Sequence, residues 1–574
     1  MRRFSILFVF IPFLIGCSNN QTVEINKEVA NMKVLYNGIK LPAQWPPYYD
    51  EPDEPKERPV PYLVNKPEVI PINIGRQLFV DDFLIAETDL ISVTHSPTIY
   101  KNNPVLAPDE EWEAKSEKQF YAAPFSDGVW YDEKEQKFKI WYLAGGASFS
   151  TGYAESKDGK VWKKPLLGVY DQTNIVDVDR TDSQTIWLDK LESDPNKRYK
   201  MFQIRGHPHR GRCSFILKYS GDGINWSDEK AMSGLIDDRS TAFYNPFRGV
   251  WVLSMRYWSM KYEDQMKILD NPPKVRSRVY LENKDPEMAV NLAHYIREGV
   301  KDQNNFFWLS ASDKEPRHPK FPNISPGIYN FDAIAYESIL LGFFNIWQGP
   351  ENPITYKTGI EKRNEILLGY SRDGFHFSRP SYKPFIGVND EEGSWNGSNV
   401  QSVNGAPIIV GDSLYFYSSG RTQLKNADLG ERHMSTGLAT LRRDGFISKR
   451  AESQEGYLQT EKLTFDGDYL FVNADMKEGE LLVEVLDEQG NPFKGFAKKD
   501  CIPLDNFNAT KHRIMWNGEK NLGSLNGKII SFKFYLTKGD LYSFWVSPWE
   551  TGESRGYTAG GGPGLSVNGI DQPI

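Results

Sequence analysis

Ser156-Lys157-Asp158-Gly159-Lys160-Val161-Trp162 decides the fold, because it comes back. It recurs as Ser220-Gly221-Asp222-Gly223-Ile224-Asn225-Trp226 and as Ser371-Arg372-Asp373-Gly374-Phe375-His376-Phe377, and more weakly as Arg442-Arg443-Asp444-Gly445-Phe446. Asp-Gly between two β-rich runs signals a turn, since glycine accepts the positive φ that the second turn position needs. Asp158 to Asp222 is 64 residues and Asp373 to Asp444 is 71, whereas Asp222 to Asp373 is 151, two periods. A fifth unit is therefore expected in the gap, with Ser310-Ala311-Ser312-Asp313-Lys314 as its remnant.

Aromatic and β-branched runs precede each turn, as in Gly128-Val129-Trp130-Tyr131 and Phe138-Lys139-Ile140-Trp141-Tyr142. A repeated four-stranded unit of this length is a propeller blade, and five blades close radially without a long exposed edge. The chain reads as all-β: a five-bladed β-propeller over 72–451 followed by a C-terminal β-sandwich over 452–550. The sandwich rests on strand runs such as Leu481-Leu482-Val483-Glu484-Val485 and Ile530-Ser531-Phe532-Lys533-Phe534-Tyr535, where the Asp-Gly motif has stopped. A helix is expected near 285–300: Asp285 is an N-cap, Pro286 fits the first helical position, Met288, Leu292, Tyr295 and Ile296 keep helical spacing, and Gly299 terminates. Residues 551–574, which contain Gly560-Gly561-Gly562-Pro563-Gly564, read as a flexible tail.

Composition agrees. The 574 residues exceed a single-domain length, and aromatics make up 13% of the chain, which favours strands. The net charge of −8, with no basic block, argues against nucleic acid. Arg2 and Arg3 precede an apolar run from Phe4 to Ile15, too short to span a membrane, so residues 1–16 read as a signal peptide. The run ends in Leu14-Ile15-Gly16-Cys17, which resembles the bacterial lipobox whose cysteine is diacylated. Ser18 follows where an inner-membrane retention signal would place Asp, so the resemblance implies an outer-membrane lipoprotein, at the periplasmic face or the cell surface. Nine prolines between Pro42 and Pro71 read as an extended spacer, making 17–71 an anchor plus linker. Cys213 and Cys501 fall in different domains, so no disulfide framework is expected.

A propeller followed by a β-sandwich is the layout of the glycoside hydrolase families that include invertases and levanases, and the propeller alone is that of arabinanases and xylosidases. The chain resembles exported lipoproteins of this architecture from polysaccharide-degrading bacteria at Leu78-Phe79-Val80-Asp81-Asp82, Tyr329-Asn330-Phe331, Tyr336-Glu337-Ser338 and Leu414-Tyr415-Phe416-Tyr417-Ser418-Ser419-Gly420. The resemblance implies an enzyme acting on an oligosaccharide. The invertase motifs Asn-Asp-Pro-Asn-Gly, Arg-Asp-Pro and Glu-Cys are absent, so no fructan-specific residue carries over.

Glycoside hydrolysis uses two carboxyl groups opposed across the scissile bond, and in a propeller different blades must supply them. The leading strands offer Asp127, Asp182, Asp237, Asp238 and Asp332, and Glu337; the expected roles are Asp127 as base, Glu337 as acid and Asp238 as modulator, with Asp332 a further candidate. Arg239 stands beside Asp238, and Trp395, Asn396 and Gln401 form a sugar-reading set of an aromatic platform with amides. Arg205-Gly206-His207-Pro208-His209-Arg210-Gly211-Arg212 gathers groups suited to carboxylates or sulfates and to proton movement. It points to an acidic or sulfated substrate bound by Arg205. It also opens a lyase or dehydratase alternative with His207 or His209 as base. A non-catalytic glycan-binding lipoprotein would need the aromatics and amides alone. No metal site and no cofactor are expected.

Overall fold

The computed structural model describes residues 33–51, 55–116, 119–145, 150–206, 213–259, 275–294, 302–422, 432–518 and 521–574. Five antiparallel blades form the first body. Their innermost strands are Gln119–Asp132, Thr181–Leu188, Thr241–Asn245, Gly327–Glu337 and Ser398–Ser402, in blades I to V. Blade V takes its outermost strand, Thr98–Ile99, from the start of the chain, with Ile99 opposite Ala439. A short parallel pairing of Gln119 to Tyr121 with Arg432 to Met434 also joins blades I and V.

The repeated motif is the exit turn of each blade's third strand. Asp158 Oδ1 accepts the amides of Lys160 and Val161, while Ser156 Oγ accepts that of Gly159. The same bonds recur around Asp222 and around Asp373. In blade III the turn is Asn283-Lys284-Asp285, not the expected Ser310 to Lys314, which follows the fourth strand, Phe306–Leu309. Asp285 keeps the bond pattern but spends it on a helix: its carboxylate caps Met288 N–H of the helix Pro286–Leu292. That helix closes at Ala293, shorter than the expected 285–300, whose end lies outside the described residues.

The second body is one nine-stranded sheet curled over its own core, sandwich-like in section. It recruits strands from before the propeller, Gln77–Leu78, Ile85–Thr88 and Ile91–Thr94, so the propeller proper begins near Thr98 rather than at 72. The described part of the proline-rich segment is packed rather than an extended spacer. Tyr62 is buried, Tyr49 Oη bonds His376 Nε2 at 2.8 Å, and Arg58 lies 4.0 Å over the Tyr49 ring.

The tail also differs from its reading as flexible. Tyr557–Thr558 pairs with the end of the blade IV inner strand, and Gly560 and Gly561 bond Tyr131 of blade I and Ile409 of blade V. Its glycines serve close approach: a Cβ on Gly560 would lie 1.9 Å from Gly405 O, and one on Gly562 1.8 Å from Ile409 O.

Blades I and II are joined by Asp132, which accepts both arms of Arg198 at 2.6 and 2.9 Å and the Tyr199 hydroxyl at 2.5 Å, with Lys139 at 3.1 Å. Burial alone would raise its pKa, but Arg198, Lys139 and Tyr199 together hold it far below the usual carboxylate range. A depressed folded pKa adds stability above the unfolded value, lost as pH falls through the folded one. Asp132→Asn should therefore lower Tm by a constant gap from pH 8 to about 5, a gap that narrows only below about pH 4, the unfolded aspartate pKa. Thermal melts of both proteins across pH check this.

Candidate functional site

The blades meet on the propeller axis in a closed polar ring. Asp332 Oδ2 accepts from Ser126 Oγ at 3.0 Å, from Asn330 at 3.2 Å and from Ser402 Oγ; Asn404 approaches Oδ1 at 3.4 Å and also bonds Ser126 O and Thr185. Thr241 of blade III donates to Phe331 O at 2.8 Å. Asp332, a catalytic candidate in the sequence, is thus the saturated hub of the ring. That is a structural duty.

On the N-terminal side of this ring, the inner strands break register. Pairing of blade I with its neighbour skips between Ala123 and Gly128, with Phe125 and Ser126 at φ of 35° and 78°. Blade II skips between Thr181 and Ser183, expelling Asp182; blade IV between Ile328 and Asn330, expelling Tyr329; blade V between Ser398 and Gln401, around left-handed Asn399. In blade III, Arg239 precedes the strand at φ 54°. Bulges bend a strand and re-aim a side chain, and they recur beside active sites. Here four inner strands carry one at the same end, which marks the mouth of the funnel.

Asp127 is fully buried there, and neither carboxylate oxygen has a hydrogen-bond partner among the described residues. Burial pushes its pKa well above the ordinary value, with the nearby Arg239 charge giving partial relief. The shift favours the protonated carboxyl, the form suited to donating a proton rather than to the base role expected for it.

Four arginines cluster about Asp238 beside it. Arg239 contacts Asp182 at 3.4 Å and lies 4.7 Å over Phe125; Arg256 pairs with Asp238; Arg276 pairs with Glu351 at 2.9 Å and stacks 4.0 Å over Trp347. Arg256 and Arg276 both stack on Trp258, each at 4.7 Å. Their grouping follows from register: Arg256 faces Arg278 and Trp258 faces Arg276 across the second and third strands of blade III. Arg278 differs from the others. Fully buried, it donates to Ser254 and to Arg239 O at 3.0 Å, has no carboxylate within 4 Å among the described residues, and leaves Nη1 unpaired. Burial first and Arg256 second pull its pKa down to about 9.

Of the sequence candidates, Asp127, Asp238, Arg239 and Gln401 meet at this mouth; Gln401 is buried with Oε1 unpaired. Glu337 does not. It ends the blade IV inner strand five residues past Asp332, about 16 Å along the strand at about 3.3 Å per residue. There it accepts Arg76 N–H at 3.1 Å, Arg443 at 3.0 Å and Ser554 Oγ at 2.6 Å, cementing propeller to linker and tail. Arg205 also lies elsewhere, held at the edge of blade II by Asp179 and Glu229. Trp395 lies against the backbones of Gly420 and Gly437, and Asn396 bonds Gly387 O at 3.1 Å, so both build blade V. His207, His209 and Cys17 lie outside the described residues. Sequence reasoning missed Tyr329, Arg256, Arg276, Arg278, Trp258 and Lys362. The alternation Arg256-Tyr257-Trp258 and Arg276-Ser277-Arg278, which in each run puts the two outer residues on one face of a strand, was the available signal.

No family model and no curated protein matches the chain. Solved structures do resemble it in outline. An N-acetylgalactosamine deacetylase from F. plautii covers 60% of this chain and 97% of its own at 11% identity and TM-score 0.36. An exo-beta-1,3-galactanase from Phanerochaete chrysosporium covers 76% and 99% at 9% identity and TM-score 0.32. A GH32 beta-fructofuranosidase from Bombyx mori covers 77% and 94% at 12% identity and TM-score 0.33. Glycoside hydrolases recur among these neighbours, but scores this low carry no argument about chemistry, which rests on the mouth of the funnel.

Proposed function

We propose that this protein is a glycoside hydrolase that cleaves an acidic oligosaccharide at the funnel mouth, displayed on the outer membrane through a lipidated Cys17. The observation that carries the reading is charge. Arg239, Arg256 and Arg276 each have a carboxylate partner, whereas Arg278 and Lys362 have no ion pair among the described residues, and two buried carboxyls of the propeller axis, Asp127 and Asp332, have raised pKa values. Buried charges are ordinarily paired, so a site left with surplus guanidinium is complete only when its ligand brings an anion. Carboxylate or sulfate suits the arginine fork. Asp127, holding its proton, donates it to the leaving glycosidic oxygen.

The test is a panel of aryl glycosides, neutral hexosides beside glucuronides and galacturonides, with products read by mass spectrometry. Hydrolysis adds one water per bond broken. Turnover confined to the acidic sugars with hydrated products is expected, and Arg278→Gln should raise KM about tenfold or more for those sugars. Unsaturated products lacking that water would replace hydrolysis with elimination, and neutral sugars turned over equally well would remove the acidic substrate.

A further inference from the structure

Hydrolysis at Asp127 needs a second group, to attack the anomeric carbon or to activate water. The mouth has carboxylates for this, but they are engaged: Asp182 with Arg239, Asp238 with Arg256, Glu351 with Arg276, and Asp332 by the axial ring. One group there is placed differently. Tyr329 is the residue expelled by the blade IV bulge, one position before Asn330 of the ring. Its ring centre has Arg239 at 5.7 Å, Arg276 at 5.6 Å and Lys362 at 5.7 Å, and its hydroxyl makes no hydrogen bond with a described residue. Trp347 and Ile324 wall it from behind.

We propose, building on the hydrolase reading above, that Tyr329 is the nucleophile of this site and that the acid group of the substrate sits on the very sugar being transferred. The second half follows from adjacency. Arg278 bonds the carbonyl of Arg239, and the Arg239 guanidinium faces Tyr329, so the anion pocket and the nucleophile share one sugar subsite. A carboxylate nucleophile would meet a substrate carboxylate in that subsite with like charge at close range, whereas a phenolate presents a more diffuse negative charge. Burial raises the phenol pKa, yet Lys362 and Arg239 outweigh it; among the described tyrosines with a resolved shift, Tyr329 alone moves down.

The chemistry balances. Tyr329, its proton lost to solvent, attacks the anomeric carbon through Oη; the bond to the leaving oxygen breaks, and that oxygen takes the Asp127 proton. Water then attacks the glycosyl-tyrosine, gives its proton to the Asp127 carboxylate, and releases the phenolate. One water is consumed and configuration is retained.

Two measurements on the full-length protein decide it. The first is an ultraviolet tyrosinate titration of wild type against Tyr329→Phe. One tyrosine of the 29 should ionise ahead of the rest in wild type and be missing in the variant; superimposable curves would overturn the proposal. The second uses whichever acidic aryl glycoside the wild type turns over. Tyr329→Phe should lose about 10²–10⁴-fold in kcat with KM and Tm little changed. Lys362→Met keeps the phenol but removes the charge that favours its ionised form, so the rising limb of the pH–rate profile should move to higher pH. Full activity in Tyr329→Phe, or an inverted product, overturns the nucleophile while leaving hydrolysis intact. Products without added water overturn the hydrolase reading itself.

Discussion

Asp127→Asn is expected to lower kcat by about 10²–10⁴-fold on sugars with poor leaving groups while Tm stays level or rises. The amide keeps the shape and removes the transferable proton. Stability does not suffer, because the native carboxyl is buried with both oxygens unpaired, a state that costs free energy and persists where function requires it. The loss should shrink for aryl glycosides whose phenol leaves readily, since a good leaving group needs less protonation. Rates across leaving groups of graded acidity, set beside thermal melts, separate this from a folding defect. An equal loss for every leaving group would remove Asp127 from the acid role.

Glu337→Gln should do the opposite. Glu337 is buried among Arg76, Arg443 and Ser554, with Asp571 and Asp444 close by. Removing its charge leaves Arg443 with Asp571 at 3.4 Å and weakens the seam between propeller, linker and tail. Breaking a buried ion pair costs about 3–5 kcal/mol, so Tm should fall by about 2–4 °C in a chain of this length. Protein that remains folded should keep wild-type kcat within about twofold, since Glu337 is about 16 Å along its strand from the ring. Scanning fluorimetry beside activity of the soluble fraction checks both halves. A collapsed kcat at unchanged Tm would return Glu337 to the chemistry.

These opposed outcomes show what a linear reading can reach. The Asp-Gly turns placed every blade but the third, because a turn is local and its bonds run over three residues. Blade III hid because Asp285 carries the same carboxylate into a helix cap followed by Pro286, which breaks the Asp-Gly spelling but not the geometry. Asp127 and Glu337 look alike in sequence, each a carboxylate in an apolar β-run. They separate only when the length of the Gly327–Glu337 strand puts its two ends on opposite sides of the axial ring. Arg278, and the role of Tyr329, were hidden for another reason. One matters through what it lacks, a carboxylate partner, and the other through a one-residue slip in strand pairing. The Gly560 run misled because glycine reports freedom in an isolated chain and close contact in a packed one.

Segment 551–574 has a consequence for how the fold holds together. Its pairing with Glu337 and its bonds to Tyr131 and Ile409 tie three blades together, while Thr98–Ile99 pairs with Ala439 to complete blade V. A single proteolytic nick between Glu553 and Tyr557 would unfasten that seam without touching the funnel, so resistance to proteases at this segment reports the integrity of the whole ring.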